Sequence, residues 1–567
     1  MIKKNRFDLI LFLVVGSLLG LIYFQIFSAP FLPWDDDYNI SLNPYFLQGQ
    51  WLELWNHTYF GMYIPVTNTL WRLLFNWGAG ESWPFRVFNF SLHAFNTFLV
   101  YRLVQIWFSK NNLKPTWLLG IAPLFFALHP LQVDAVAWIS GGRDLLATFF
   151  GLLSLVFFFK YETRKGFWLA GLFFVLSLLS KPQVAALPLV IFLLSLVQTP
   201  SLWKKNALKM LSWCVPVLII SVITYITQKE ILLPAVEFLQ RPLVVFDSFG
   251  FYLSHIVWPI NLTVDYGRSP TYLLGHLDQL WPTALIFVSS LIFLIFACHR
   301  SKKWPALILF LGWIACLLPV SGLVSFAFQD ISTVANHYVY FSMALFSLFL
   351  IELLSFWAPP KITPSFAILG GLICLTAFYS TLSWQRQQTW QSPKIFFETM
   401  LLRNPDSHSA LMGLAQYYGD EEKNPAKSLP LLERARLQKP KDVLVISNIA
   451  TTLAHLHRYE ESADLEAWLF EPEFQRWMPK RNVDSANFLN ALGSAMAHLG
   501  RVDLALLYFC QAGVMNPLRP GYDQNAEIVL ARLRPGNPQI TCPRFSSFDE
   551  FIQTAAVVRY NQPRESK

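Results

Sequence analysis

MIKKNRFDLILFLVVGSLLGLIYFQIFSAPFLPWDDDYNI, residues 1–40, decides the class of fold. Lys3, Lys4 and Arg6 precede an apolar run of about 20 residues, the length a helix needs to cross a bilayer. No small-residue cleavage site follows, so a retained signal anchor is expected rather than a cleaved signal peptide. The run gives way to Trp34, then Asp35, Asp36 and Asp37, then Tyr38. Carboxylates beside a span are costly, so an acidic triplet between two interface-seeking aromatics calls for partners or a task. For one aspartate a solvated loop that sets orientation would suffice. Three in a row favour function.

The rest of the chain has the same solvent. Of 567 residues, 54% are hydrophobic and only 14% charged, against about 25% charged in a soluble globular chain. The length allows two or three domains. The net charge of +8 lies largely in short loops between apolar runs. That distribution marks cytoplasmic loops and argues against a nucleic-acid partner. Four of the six cysteines (Cys214, Cys298, Cys316, Cys374) fall within apolar runs as small packing residues. Cys510 and Cys542 lie in polar sequence and can pair if that part faces an oxidising compartment.

Apolar segments recur near 8–28, 84–108, 117–131, 135–159, 167–180, 183–198, 207–227, 243–260, 281–298, 304–324, 335–357 and 364–382. Basic residues occupy alternate loops: Lys3, Lys4 and Arg6; Lys110 and Lys114; Arg164 and Lys165; Lys204 and Lys205; Arg300, Lys302 and Lys303; Lys361. The other loops collect Asp35 to Asp37, Asp134, Asp144, Glu230, Glu237, Asp265, Asp278 and Asp330. Treating 243–260 as re-entrant or interfacial preserves the alternation and leaves about 11 crossings. The odd number puts the C-terminal part on the side of the three aspartates.

After Leu382 the sequence turns polar and helical. Proline recurs at Pro405, Pro440, Pro472 and Pro517, at intervals of 35, 32 and 45, with an insertion around EFQRWMPKRNV in the last. A period near 34 ending in proline indicates tetratricopeptide repeats, helix pairs that stack because one pair cannot bury its apolar face. In DSANFLNALGSAMAHLGRVDLALLYFCQAGVMNP, residues Leu492, Gly493, Ala505 and Ala512 supply the small and apolar packing positions. WQSPKIFFETMLLRNP reads as a degenerate cap. Such an array binds an extended polypeptide or braces the membrane domain. The expected architecture is therefore all-α: a polytopic membrane domain over 1–384, repeats over 385–535 and a tail over 536–567.

Other candidate groups share the outer side with the triplet. LHPLQVDAVAWISGGRDLL brings His129, Asp134, Arg143 and Asp144 between two apolar runs. A histidine alone is more often a packing residue, and GGRD can be a hinge with a local ion pair. An arginine nonetheless suits a phosphate, because its fork stays charged and grips two oxygens at once. LLSKPQ sets Lys181 at a break between segments, where it either meets a phosphate or snorkels to the interface. FRVFNFSLHAFNTFL carries Arg86 within a span, and its Asn89, His93 and Asn96 share one helical face, as helix glue or a cavity lining. ANHYVYF brings His337 and Tyr338 to the outer end of the next-to-last span, where an aromatic belt is the simpler account. No glycine-rich nucleotide loop occurs, so an enzyme here needs a donor already in the membrane.

These elements, in this order, resemble the transmembrane and tetratricopeptide-repeat proteins, membrane glycosyltransferases of the GT-C fold that include O-mannosyltransferases. WDDDYNISLNP is similar to the family's acidic pair followed by asparagine, aligning Asp35 and Asp36 with the pair and Asn43–Pro44 with its end. YIPVTNTLWRL, FNFSLHAFNTFLV, LHPLQVDAVAWISGGRDLL, LLSKPQ, WPINLTVDYG and NHYVYF resemble its further motifs. Asp134 stands for a family glutamate, Ile64 and His337 for arginines, and Pro182 for a glutamate.

The resemblance implies an integral membrane transferase with a polyprenyl-phosphate-linked sugar as donor and an acceptor hydroxyl, foremost on protein Ser or Thr, at the non-cytoplasmic face. Asp35 or Asp36 would be the general base, with Arg143 and Lys181 at the donor phosphate. His129, Asp134, Asp144, His93, His337 and Tyr338 would support them. A divalent metal held by Asp35, Asp36 and Asp144 stays open, and no other cofactor is expected. The membrane would be a bacterial inner membrane with the repeats in the periplasm, or the endoplasmic reticulum in a eukaryote. Two other readings stand beside it: a lipid-linked glycan ligase or polymerase of the cell envelope, and a non-enzymatic membrane-anchored repeat scaffold. A transporter fits less well, because the charges gather in outer loops and not at mid-bilayer on broken helices.

Overall fold

The computed structural model describes residues 2–47, 49–59, 61–110, 118–228, 236–355, 366–478, 482–516, 520–533 and 541–561. Lys114, Glu230, Lys361 and Pro517 lie outside them. The described residues are helical and form no strand. The chain falls into two compact units, Met1–Asn404 and Pro405–Lys567.

Among the described residues of the first unit, five helices are long and apolar enough to cross a membrane: Asp8–Ser28, Ile139–Lys160, Pro200–Gln228, Leu277–Ser301 and Asn336–Leu354. Leu118–Leu128 and Pro130–Ala137, bent by 47°, make a sixth if they count as one span. Helix Trp83–Lys110 has 28 residues but carries Arg86, Asn89, His93, Asn96 and Arg102. The run read as re-entrant, 243–260, overlaps the 17-residue helix Arg241–Val257, in which Asp247 is buried and paired with Arg268.

Helices Gly142–Lys160 and Arg164–Ser180 form an antiparallel hairpin across a three-residue turn. Thr163 caps the second by accepting the Gly166 N–H at 3.1 Å. Lipid offers little hydrophobic drive for helices to associate, so small polar side chains help to join them. Ser154 Oγ donates to the Ala170 carbonyl at 2.8 Å and Ser177 Oγ to the Ala147 carbonyl at 2.5 Å.

The stretch from His129 to Gly142 shapes the site. Two single turns of 3-10 helix and one α turn leave carbonyls free that a continuous helix would use itself. Backbone groups freed in a buried stretch must find partners in other elements. Helix Trp83–Lys110 supplies them: Asn89 Nδ2 donates to the carbonyls of Trp138 at 2.9 Å and Ile139 at 3.3 Å. Arg86 donates to Ala137 and, at 2.6 Å, to Pro30. The stripe of Asn89, His93 and Asn96 is thus inter-helix bonding. His93 bridges Tyr340 OH at 2.7 Å and the Ala127 carbonyl at 3.0 Å, and Asn96 donates to Leu145 at 2.9 Å. The double glycine is needed for close approach. A Cβ on Gly141 would lie 2.4 Å from the Ala135 carbonyl oxygen, and one on Gly142 2.5 Å from Asn89 Oδ1.

The second unit is built of helix pairs. His408–Asp420 with Pro425–Gln438, Val443–His455 with Tyr459–Asp464, and Asn482–His498 with Val502–Met515 each turn within three or four residues. One contact recurs: Ser428 Oγ donates to Ala415 at 2.8 Å, and Ser462 Oγ to Ala450 at 3.0 Å. In the last pair, Gly493 brings the helices close enough that a Cβ would meet the Phe509 ring at 2.8 Å. Cys510 and Cys542 form a disulfide that ties residues 541–547 and helix Phe548–Asn561 to the last pair. Phe551 lies fully buried at an edge of the Tyr508 ring. Glu466, buried, accepts from Tyr508 OH and, at 2.8 Å, from Arg559.

Candidate active site

The acidic triplet splits into groups with different surroundings. Asp36 is fully buried. Its Oδ1 accepts from the Ser140 N–H at 2.9 Å and Ser140 Oγ at 2.7 Å, and its Oδ2 from the Leu32 N–H at 3.2 Å. Burial pushes this carboxyl up to about 6, against the pull of Arg86 and these donors. Asp36 therefore staples its loop to the broken segment. Asn39 adds a second staple, donating to Ser140 Oγ at 3.2 Å, and Trp138 Nε1 a third, donating to the Trp34 carbonyl at 2.9 Å.

Asp35 points elsewhere. Its φ of 69° is left-handed, a region that costs most L residues about 1–2 kcal/mol but that Asp and Asn tolerate best. A π-helical turn, Asp37–Ser41, follows directly. This backbone leaves the Asp35 side chain 33% exposed, with Oδ2 3.6 Å from Arg143 Nη2. Burial among neighbouring groups raises its carboxyl above the ordinary range, while Arg143 pulls it down.

Arg143 is the second residue of helix Gly142–Lys160, directly after the double glycine, and is 6% exposed. Besides Asp35 it meets the Met62 sulfur at 3.4 Å and the Trp138 ring at 5.0 Å, and its Nε has no hydrogen-bond partner. The next residue, Asp144, accepts from Lys181 Nζ at 2.5 Å through Oδ1, and its buried Oδ2 has no partner. Lys181 sits where helix Arg164–Ser180 ends, a point fixed by Thr67 Oγ1 donating to the Ser180 carbonyl at 2.9 Å. Its ammonium lies 5.4 Å from the Tyr338 ring, and burial lowers it to about 8 despite Asp144. His337 stands against Trp138, ring centres 5.1 Å apart, and Gln183 donates to the Tyr338 carbonyl at 2.6 Å.

One cluster thus contains Asp35, Arg143, Asp144, Lys181, His337 and Tyr338. The other sequence candidates lie outside it. His129 is a core histidine between the Ile256 carbonyl at 3.0 Å and the Leu131 N–H at 3.2 Å. His93 is the bridge described above. Asp134 is clasped by Arg386 through Nε at 2.8 Å and Nη2 at 2.9 Å, by Trp390 Nε1 at 2.9 Å and by Asn336 Nδ2 at 2.8 Å. It braces the segments around 262, 336 and 386–390.

The three carboxylates considered for a metal do not suit one. Asp36 has both oxygens engaged by Leu32 and Ser140, and Asp144 gives one to Lys181. Among the described residues no group of three His, Cys, Asp or Glu side chains converges on a cation position.

Sequence reasoning missed Trp138, Met62, Ser140 and Arg386. Trp138 had the one available signal, an aromatic next to the broken GGRD stretch. Arg386 follows an apolar run and reads as an ordinary flank. Its partner is 252 residues away.

No family model and no solved structure matches the chain. Three curated proteins resemble part of it. Protein O-mannosyl-transferase TMTC2 of Mus musculus is 32% identical over 166 residues, 27% of this chain and 19% of that protein. The Xenopus laevis protein of that name is 30% identical over 193 residues, 30% of this chain and 22% of its own length. The Homo sapiens protein is 31% identical over 166 residues, again 19% of its length. The matched stretch spans about a fifth of these relatives, and over that stretch the chain is similar to protein O-mannosyl-transferases.

Proposed function

We propose that this chain is a membrane glycosyltransferase of the GT-C type that moves a sugar, mannose first among candidates, from a polyprenyl-phosphate donor to a protein Ser or Thr hydroxyl. The observation that carries this reading is Asp35, partly open on left-handed backbone, beside two buried cations, Arg143 and Lys181. An alcohol is a poor nucleophile at neutral pH. A positioned carboxylate takes its proton as the new bond forms, a contribution of about 10²–10⁴-fold. The acceptor oxygen bonds to the anomeric carbon, the bond from that carbon to the phosphate oxygen breaks, and the proton goes to Asp35. The lipid phosphate leaves with the electron pair, and Arg143 and Lys181 neutralise the charge that grows on it. A single displacement inverts the anomeric carbon.

Asp36 orients the loop in this account. The helix pairs of residues 405–515, with serine contacts recurring at Ser428 and Ser462, support reading the second unit as tetratricopeptide repeats that bind the acceptor polypeptide. The Cys510–Cys542 disulfide supports an oxidising compartment for that unit, the periplasm or the endoplasmic reticulum lumen. The reading of about 11 crossings, an odd number, puts the repeats on the side of the aspartates. The test is to incubate membranes holding the chain with radiolabelled polyprenyl-phosphate sugars and identify the labelled acceptor. Labelled protein with mannose supports the proposal. Label confined to glycan or lipid acceptors moves the chain to the ligase class, and no transfer from any donor leaves the scaffold reading.

A further inference from the structure

We infer that Asp35 and Asp144 hold Arg143 and Lys181 in place of a phosphate, and that the donor's lipid phosphate takes both cations from them, freeing the Asp35 base only in the donor-loaded site. The inference rests on the proposed function and adds a coupling between donor binding and base release. The starting point is how poorly Arg143 is satisfied. A buried guanidinium normally finds carboxylate or phosphate oxygens at about 2.7–2.9 Å, two at a time. Arg143 has one carboxylate oxygen at 3.6 Å, a thioether sulfur at 3.4 Å and an Nε without a hydrogen-bond partner. Asp35, itself 33% exposed, holds it loosely.

Lys181 is held more closely, by Asp144 at 2.5 Å, yet the other Asp144 oxygen is buried without a partner. Arg143 and Asp144 are consecutive, so two cations and two carboxylates share one small space and their charges cancel. That neutrality lets the site exist without ligand, because unpaired buried charge is prohibitive. A phosphodiester brings fixed oxygens to two cations. It recovers the short charge-assisted bonds that Asp35 does not make, and Asp35 turns to the acceptor. The donor then binds before the acceptor, and the base becomes competent only when there is a sugar to transfer.

The test is a binding cycle with polyprenyl phosphate, the donor without its sugar, and the full chain in nanodiscs. Asp35→Asn suits it because Asn also accepts left-handed backbone. Asp35→Asn should tighten lipid-phosphate binding on the order of tenfold. In an Arg143→Gln background the same change should alter binding by less than about twofold, because no arginine remains to be released. Asp144→Asn, alone and with Lys181→Met, runs the same cycle at the second cation. Unchanged or weaker binding by Asp35→Asn overturns the inference, as does equal tightening in both backgrounds, which would be plain charge repulsion. Lost transfer without tightening overturns the inference and leaves the proposed function standing. Full transfer by Asp35→Asn overturns the proposed function itself.

Discussion

Asp35 adopts a φ of 69° and its neighbour Asp36 a φ of −66°, and this difference separates a reachable carboxylate from an enclosed one. Replacing Asp35 by Asn keeps the backbone preference and removes the proton acceptor. Transfer should fall by at least about 100-fold, while Arg143 loses its loosely held carboxylate, so a thermal unfolding scan should show a loss of stability that added polyprenyl phosphate restores. Asp36→Ala strands three buried donors, from Leu32 and Ser140, and should cost on the order of 3 kcal/mol of stability. The same scan checks it. The pH profile gives an independent reading. Only ionised Asp35 accepts a proton, and its carboxyl is raised above the ordinary range by burial. Activity should therefore fall with acidification at a pH above the ordinary Asp value of about 3.9. Arg143 pulls that carboxyl down in the donor-free site, so in Arg143→Gln the residual kcat/KM for the donor should fall at still higher pH. An acid limb unmoved by Arg143→Gln would show that the titrating group lies elsewhere.

The broken stretch His129–Gly142 works because other elements satisfy it. Asp134 is its central brace, and Asp134→Ala leaves Arg386 buried without its carboxylate. Removing one partner of such a pair costs about 3–5 kcal/mol, so this variant should unfold early or accumulate poorly, with lost transfer as a consequence. In the second unit, Asp442 caps helix Val443–His455, accepting the Leu444 N–H at 2.9 Å, and its Oδ2 meets His408 Nε2 at 3.1 Å. Burial pushes its carboxyl up, but His408 and the cap N–H groups outweigh that and leave it below the ordinary value. Its stabilisation is therefore present at neutral pH and lost as pH falls through that lowered value. Asp442→Ala should cost about 1–2 kcal/mol, read as faster amide exchange in helix 443–455.

At this scale the sequence was legible where signals are local. Apolar runs and the Asn89–His93–Asn96 stripe are signals carried within a few turns of one helix. The division of labour within the acidic triplet was not legible, because it depends on a left-handed residue and on Ser140, 104 residues away. Asp134 and Asp144 look equivalent in sequence. They part because Arg386 reaches one and Lys181 the other.

For the molecule as a whole, the proposal puts the basic loops on one side of the membrane and the acidic loops on the other. Single cysteines introduced at Asp37 and in the exposed loop near Lys423, on a background without Cys214 and Cys374, should both label with an impermeant thiol reagent from the non-cytoplasmic side. Labelling from opposite sides would separate the proposed base from the proposed acceptor-binding unit. The sharpest measurement is direct: purified wild type and Asp35→Asn, each with radiolabelled polyprenyl-phosphate mannose and a Ser/Thr-containing protein acceptor. The account predicts label on the acceptor with wild type and at least about 100-fold less with the variant, although the variant binds the lipid phosphate. Equal labelling by the two proteins would contradict it.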